Sequence, residues 1–84
     1  MSSDPAYNLA AQLMAAQLNL QAGAYRNGCV LTAVELAQEL LAGINFSGTG
    51  AYLKKLNTAK AAQANALAKT LDDYNNNRLV TCPD

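Results

Sequence analysis

Apolar residues return every three or four positions through three stretches of the chain, with glycine, asparagine and proline between the stretches. That pattern predicts α-helices joined by turns. Asp4-Pro5 opens the first helix, because an aspartate side chain can accept from the free amides of a first turn and proline suits the first helical position. Leu9, Leu13, Ala16 and Leu20 then form one apolar row. Tyr7, Ala11, Met14 and Leu18 read as a second row adjoining it, so that one broad face is buried and Asn8, Gln12 and Asn19 lie opposite. Gly23 is the natural stop, giving a helix over residues 5–22.

Asn27-Gly28 marks a turn before a second periodic segment over residues 29–42. Val30, Val34, Ala37, Leu41 and Ile44 carry its stripe, Leu36 and Leu40 widen it, and Thr32, Glu35, Gln38 and Glu39 stay outside; the helix ends near Gly43. The glycine-rich stretch 43–50 reads as a structured loop anchored by Ile44 and Phe46, and residues 51–56 as a short helical turn with Tyr52, Leu53 and Leu56 inward. A third helix follows over residues 59–75. Ala61, Ala64, Leu67, Leu71 and Tyr74 lie on its inner side, Lys60, Gln63, Lys69 and Asp73 near the other, and the asparagine run 75–77 ends it.

These elements predict a single all-α domain, a three-helix antiparallel bundle with a short extra helical turn. Antiparallel neighbours bring the start of helix two beside the end of helix three, which makes a Cys29–Cys82 disulfide geometrically natural. Two buried thiols in a reducing compartment are the alternative that the cysteine count leaves open. A chain of 84 residues buries a modest core, so a staple would matter.

Composition sharpens this picture in three ways. Seventeen alanines favour helix while filling little volume, so the helices must approach closely. Six basic and six acidic residues cancel, which disfavours nucleic acid and anionic lipid as partners. The apolar stretches are broken too often by polar residues for a membrane span, and Met1-Ser2-Ser3 is not followed by a signal core, as expected of a domain excised from a larger protein.

The segments Tyr7-Asn8-Leu9-Ala10-Ala11-Gln12-Leu13-Met14-Ala15-Ala16-Gln17-Leu18-Asn19, Gly23-Ala24, and Ala66-Leu67-Ala68-Lys69-Thr70-Leu71-Asp72-Asp73-Tyr74-Asn75-Asn76, with Cys82-Pro83 near the end, carry a resemblance. Together they resemble a small helical domain found toward the C-terminus of large secreted or surface-exposed bacterial multidomain proteins. The resemblance implies an exported, modular setting at the cell surface or beyond it, and no particular reaction. Arg78 stands where such sequences usually carry glycine.

Candidate chemistry is sparse. The chain has no histidine, the side chain that most often moves protons near neutral pH, and the expectation is that it is not an enzyme and takes no cofactor. Glu35 and Glu39, one helical turn apart, form the best acidic pair for a hydrolase, and read more simply as a solvated helix face. Asp73, Asn75, Asn77 and Asp84 share the alternating spacing of a calcium loop, but Arg78 replaces its turning glycine. Cys29 and Cys82 are too few for a zinc site without further ligands. Asn45-Phe46-Ser47 fits a glycosylation acceptor, and Gly48 and Gly50 lack the rest of a phosphate loop.

Fourteen asparagines and glutamines outnumber the twelve charged residues, leaving surfaces that repel one another weakly. The expected function is therefore a noncatalytic structural or interaction module of an extracellular bacterial protein. Its partner is protein, either a neighbouring domain or other copies in a homo-oligomer, with Tyr25, Phe46, Tyr52, Ala62 and Ala66 as contact residues. The alternative function is a calcium-responsive binding module built on Asp73, Asn75, Asn77 and Asp84.

Overall fold

A computed structural model describes residues 4–46, 58–80 and 82. Helix α1 spans Pro5–Gln21, α2 spans Gly28–Gly43 and α3 spans Thr58–Asn75, each end within one residue of the sequence-predicted bounds. The helical turn expected over residues 51–56 lies outside the described residues. All regular structure among the described residues is helical.

Three cross-links of the fold define the topology. Tyr7 at the start of α1 meets Phe46 just past α2 edge to face, with ring centroids 5.3 Å apart. Asn19 and Asn75, near the ends of α1 and α3, are hydrogen-bonded. Cys29 in the first turn of α2 is joined to Cys82 beyond α3. The middle helix therefore runs against the other two, as short connections demand.

The core takes four buried apolar residues from each helix: Ala6, Leu9, Leu13 and Ala16 from α1, Val30, Ala33, Ala37 and Leu40 from α2, and Ala64, Leu67, Ala68 and Leu71 from α3. Half of these are alanine, so leucine and valine on one helix can fill the shallow positions of another. Val34, Leu36, Leu41, Ile44, Phe46, Ala61, Tyr74 and Val80 pack around this centre. On α2 the expected stripe is confirmed, with its centre turned toward Ala33 and Leu40.

Of the second apolar row expected on α1, Tyr7 is half-buried against Phe46 and the rest is exposed. Met14 is 64% and Leu18 59% exposed, and Ala11 is exposed as well. At roughly 3.6 residues per turn this row falls nearly opposite Leu9, Leu13 and Ala16, rather than beside them. Gln12 and Asn19, expected in solvent, are half-buried against α3 instead. Asp73 is likewise corrected: it is buried, where the sequence places it on the outer side of α3.

The described helix ends follow one chemistry. Asp4, buried, caps α1 by accepting from the Ala6 amide at 2.9 Å, with Pro5 behind it. Asn27 caps α2 by accepting from the amides of Cys29 and Val30 at 2.7 and 3.3 Å. All three helices then close with the same pair of backbone hydrogen bonds around a residue of positive φ. In α1 this residue is Gly23 (φ 93°), with Gly23 N donating to Leu20 O and Ala24 N to Asn19 O. In α2 it is Asn45 (φ 56°), with Phe46 N donating to Leu41 O, and in α3 it is Asn77 (φ 57°), with Arg78 N donating to Asp73 O. Asparagine tolerates this left-handed conformation better than other side-chain-bearing residues. The helix ends at Gly43, as the sequence predicts, and Asn45, two residues on, makes the left-handed turn.

Candidate functional site

The end of the bundle that carries the disulfide gathers most of the chain's unusual surface chemistry. The Schellman turn of α1, the cap of α2 and the exit of α3 converge there. The Cys29–Cys82 bond ties the last two together, with Cα atoms 4.6 Å apart. Tyr74 Oη donates to the backbone oxygen of Tyr25 at 2.9 Å, which fixes the α1–α2 connection against α3.

A polar seam runs from this pole between α1 and α3. Asn75 Nδ2 donates to Gln12 Oε1 at 2.8 Å and to the Gln12 carbonyl at 3.2 Å, while Asn75 Oδ1 accepts from Asn19 Nδ2 at 2.9 Å. Gln12 Nε2 reaches on to Asp72 Oδ1 at 3.3 Å. No buried side-chain nitrogen or oxygen among the described residues lacks a partner. Amides are therefore tolerated at this interface because each buried polar atom in it has a hydrogen-bond partner.

Asp72 and Asp73 sit in the last turn of α3, where the helix end carries partial negative charge and disfavours carboxylates. Two cations offset this. Arg78 Nη2 lies 2.6 Å from Asp72 Oδ2, and its Nε lies 3.1 Å from Asp73 Oδ1. Lys69 Nζ lies 3.0 Å from Asp73 Oδ2. The Lys69 hydrogen bond above all, with Arg78 adding to it, holds the Asp73 carboxyl below the ordinary aspartate range against the opposing effect of its burial. Arg78 thus neutralises the end of α3.

Two open clefts flank Tyr25. One, of about 400 Å³, has Asn19, Asn75, Asn77, Arg78 and the Tyr74 ring in its wall. The other, of about 440 Å³, lies over the disulfide and reaches Gly28 and Thr32. Tyr25 and Asn27 border both. Tyr25 is 77% and Leu79 89% exposed.

The predicted contact residues fare differently. Tyr25 is free at this pole, and Ala62 and Ala66 are exposed along the outer face of α3. Phe46 is half-buried against Tyr7 and the core, so it serves the fold. Tyr52 lies outside the described residues. Glu35 and Glu39 are exposed on the outer face of α2.

Among the described residues, those with calcium-loop spacing do not converge. Asp73 and Asn75 both lie within α3, where residues two apart point to nearly opposite sides, and their oxygens are already engaged by Lys69, Arg78 and Asn19. Asn77 forms the helix-closing turn, and Asp84 lies outside the described residues. Among the described residues no three acidic, cysteine or histidine side chains gather as metal ligands. No helix among them is long and apolar enough to cross a membrane.

Sequence reasoning misses the outward row of α1 and the seam through Gln12, Asn19 and Asn75. The signal for both was the spacing itself. Counting the helical angle of Met14 and Leu18 from Leu9 and Leu13 puts them on the far side, and it turns Gln12 and Asn19 toward a neighbour. Comparison with protein families, with curated proteins and with solved structures yields no match.

Proposed function

We propose that this chain is a noncatalytic interaction module of an exported bacterial protein, and that it associates with a second copy of itself through the outer face of α1. The observation that carries this reading is the row Ala11, Met14 and Leu18. It is apolar, exposed and directed away from a core that is complete without it. Helix α1 contains no charged residue, and the chain is neutral overall, so two copies can bring this face together without like-charge repulsion or the desolvation of a salt bridge. A two-fold arrangement lets the same row serve both partners.

Export is supported by the disulfide, since such bonds persist in oxidising compartments, and by the resemblance to surface-exposed bacterial modules. Sedimentation velocity over a wide concentration range tests the association. The expected result is a shift from the 8.8 kDa chain toward twice that mass, lost in Leu18→Lys with the helical signal intact. A single 8.8 kDa species at every concentration refutes it.

A further inference from the structure

The pole around Tyr25 has a chemistry distinct from the apolar face of α1: one cleft sets two tyrosines and four asparagines beside Ala24, Leu79 and Val80, and the other sets Tyr25 and Asn27 beside Thr32 and the disulfide. Tyr25 projects between them as an exposed ring, and Tyr74 stands in the wall of the larger group of amides. The hydrogen bonds described above leave specific groups uncommitted: Asn19 Oδ1, Asn27 Nδ2, the Asn77 side-chain amide and the Tyr25 hydroxyl have no partner among the described residues. These comprise both donors and acceptors.

Among the described residues no carboxylate borders either cleft, and the one guanidinium there, Arg78, is held by Asp72 and Asp73. The described lining is thus close to electrically neutral. An aromatic face beside amides that both donate and accept matches one ligand chemistry well: a ring with an apolar C–H face and a rim of hydroxyl groups. An anionic ligand would find its cation already paired. A peptide held by apolar anchors would need an enclosed pocket, whereas these clefts are open.

We infer that the disulfide pole binds a neutral saccharide, with the Tyr25 ring stacking on a sugar face and the Asn27 and Asn77 amides reading its hydroxyls. Clefts of about 400 and 440 Å³ fall within the range of about 300–1,000 Å³ typical of small-ligand sites. Because both border Tyr25, sugar units can occupy either side of it. The walls are held before any ligand arrives. Asn27 and Asn77 are fixed by their caps, the Tyr25 backbone by the Tyr74 hydrogen bond, and the α2 start and Cys82 by the disulfide. Preorganisation of this kind lowers the entropic cost of binding.

The test is a two-dimensional amide NMR titration of the oxidised full chain with maltose, cellobiose, lactose and N,N′-diacetylchitobiose, and with polygalacturonate as an acidic control. Saturable shifts at Tyr25, Asn27 and Asn77 with at least one neutral probe are expected. Tyr25→Ala should weaken that binding about tenfold, the loss of one stacked aromatic contact. This variant keeps the backbone oxygen that accepts from Tyr74, so a preserved amide spectrum separates lost binding from lost folding. Leu18→Lys should leave saccharide binding unchanged, which distinguishes this site from association through α1. Absence of shifts with all neutral probes, binding of polygalacturonate alone, or full binding by Tyr25→Ala overturns the proposal.

Discussion

Removing the Cys29–Cys82 bond should be the most damaging change that leaves every core residue in place. The crosslinked residues are 53 positions apart, so the bridge closes more than half of the chain into a loop. The chain-entropy relation for a loop of this size gives about 4 kcal/mol at room temperature. Domains of this length typically have a total stability of roughly 0.05–0.15 kcal/mol per residue, so the bridge supplies a large share of it. At about 4–8 °C per kcal/mol, the double variant Cys29→Ser, Cys82→Ser should melt about 15–30 °C below the oxidised chain. Far-UV circular dichroism melts of the two proteins at equal concentration read this directly. A difference under about 5 °C, equivalent to roughly 1 kcal/mol, would refute the reasoning, because the bundle would then be shown to hold its sulfur-bearing end together without the crosslink.

Leu71 is fully buried in the C-terminal half of α3, and Leu71→Ala should cost about 2–5 kcal/mol in urea unfolding, whereas Leu79→Ala, at an exposed position, should change stability by under about 0.5 kcal/mol. Asn75→Ala strands the Gln12 and Asn19 amides between α1 and α3 and should cost about 1–3 kcal/mol by the same assay; a neutral result would mean that water replaces the seam without loss. The Asp73 carboxyl has a lowered pKa in the folded chain, so its stabilising contribution is fully present above the ordinary aspartate value of about 3.9 and disappears as pH falls through its lower native value. Melting temperature followed from neutral to acid pH should therefore fall less steeply in Asp73→Asn than in the native chain, and parallel curves would contradict the assigned partners.

The helices were legible because their punctuation is chemical. Asp4-Pro5, Asn27-Gly28 and the run at Asn75 mark starts and stops through capping and left-handed turns, and the structure uses each of them. The disulfide was legible from topology alone, since reversing the middle helix brings Cys29 to the end of α3. The faces of α1 were harder. On α2, Glu35 and Glu39 mark the solvent side and confine the core to the other, but α1 has no charge to orient it. Its amides look like surface residues and its methionine and leucines like core, and the fold places Gln12 and Asn19 in the seam and Met14 and Leu18 in solvent.

Asp73 escapes sequence reasoning for a related reason. A carboxylate normally signals solvent, and only the pairing with Lys69 one turn before and Arg78 beyond the helix end lets it be buried. The clefts at Tyr25 require three chain segments distant in sequence, and no periodicity records that meeting. Asn45 was hidden behind Gly43, because two residues of either type can take positive φ and only the hydrogen bonds to Leu41 and Ala42 identify which one does.

Association through α1 can be observed at the residues that mediate it. Isotope-filtered NOE spectra of a mixture of labelled and unlabelled chains detect contacts between copies alone. The proposed interface predicts intermolecular cross-peaks from the methyl groups of Met14 and Leu18. Cross-peaks confined to Ala62 and Ala66 on α3, or none at concentrations where Met14 and Leu18 should be covered, would contradict it.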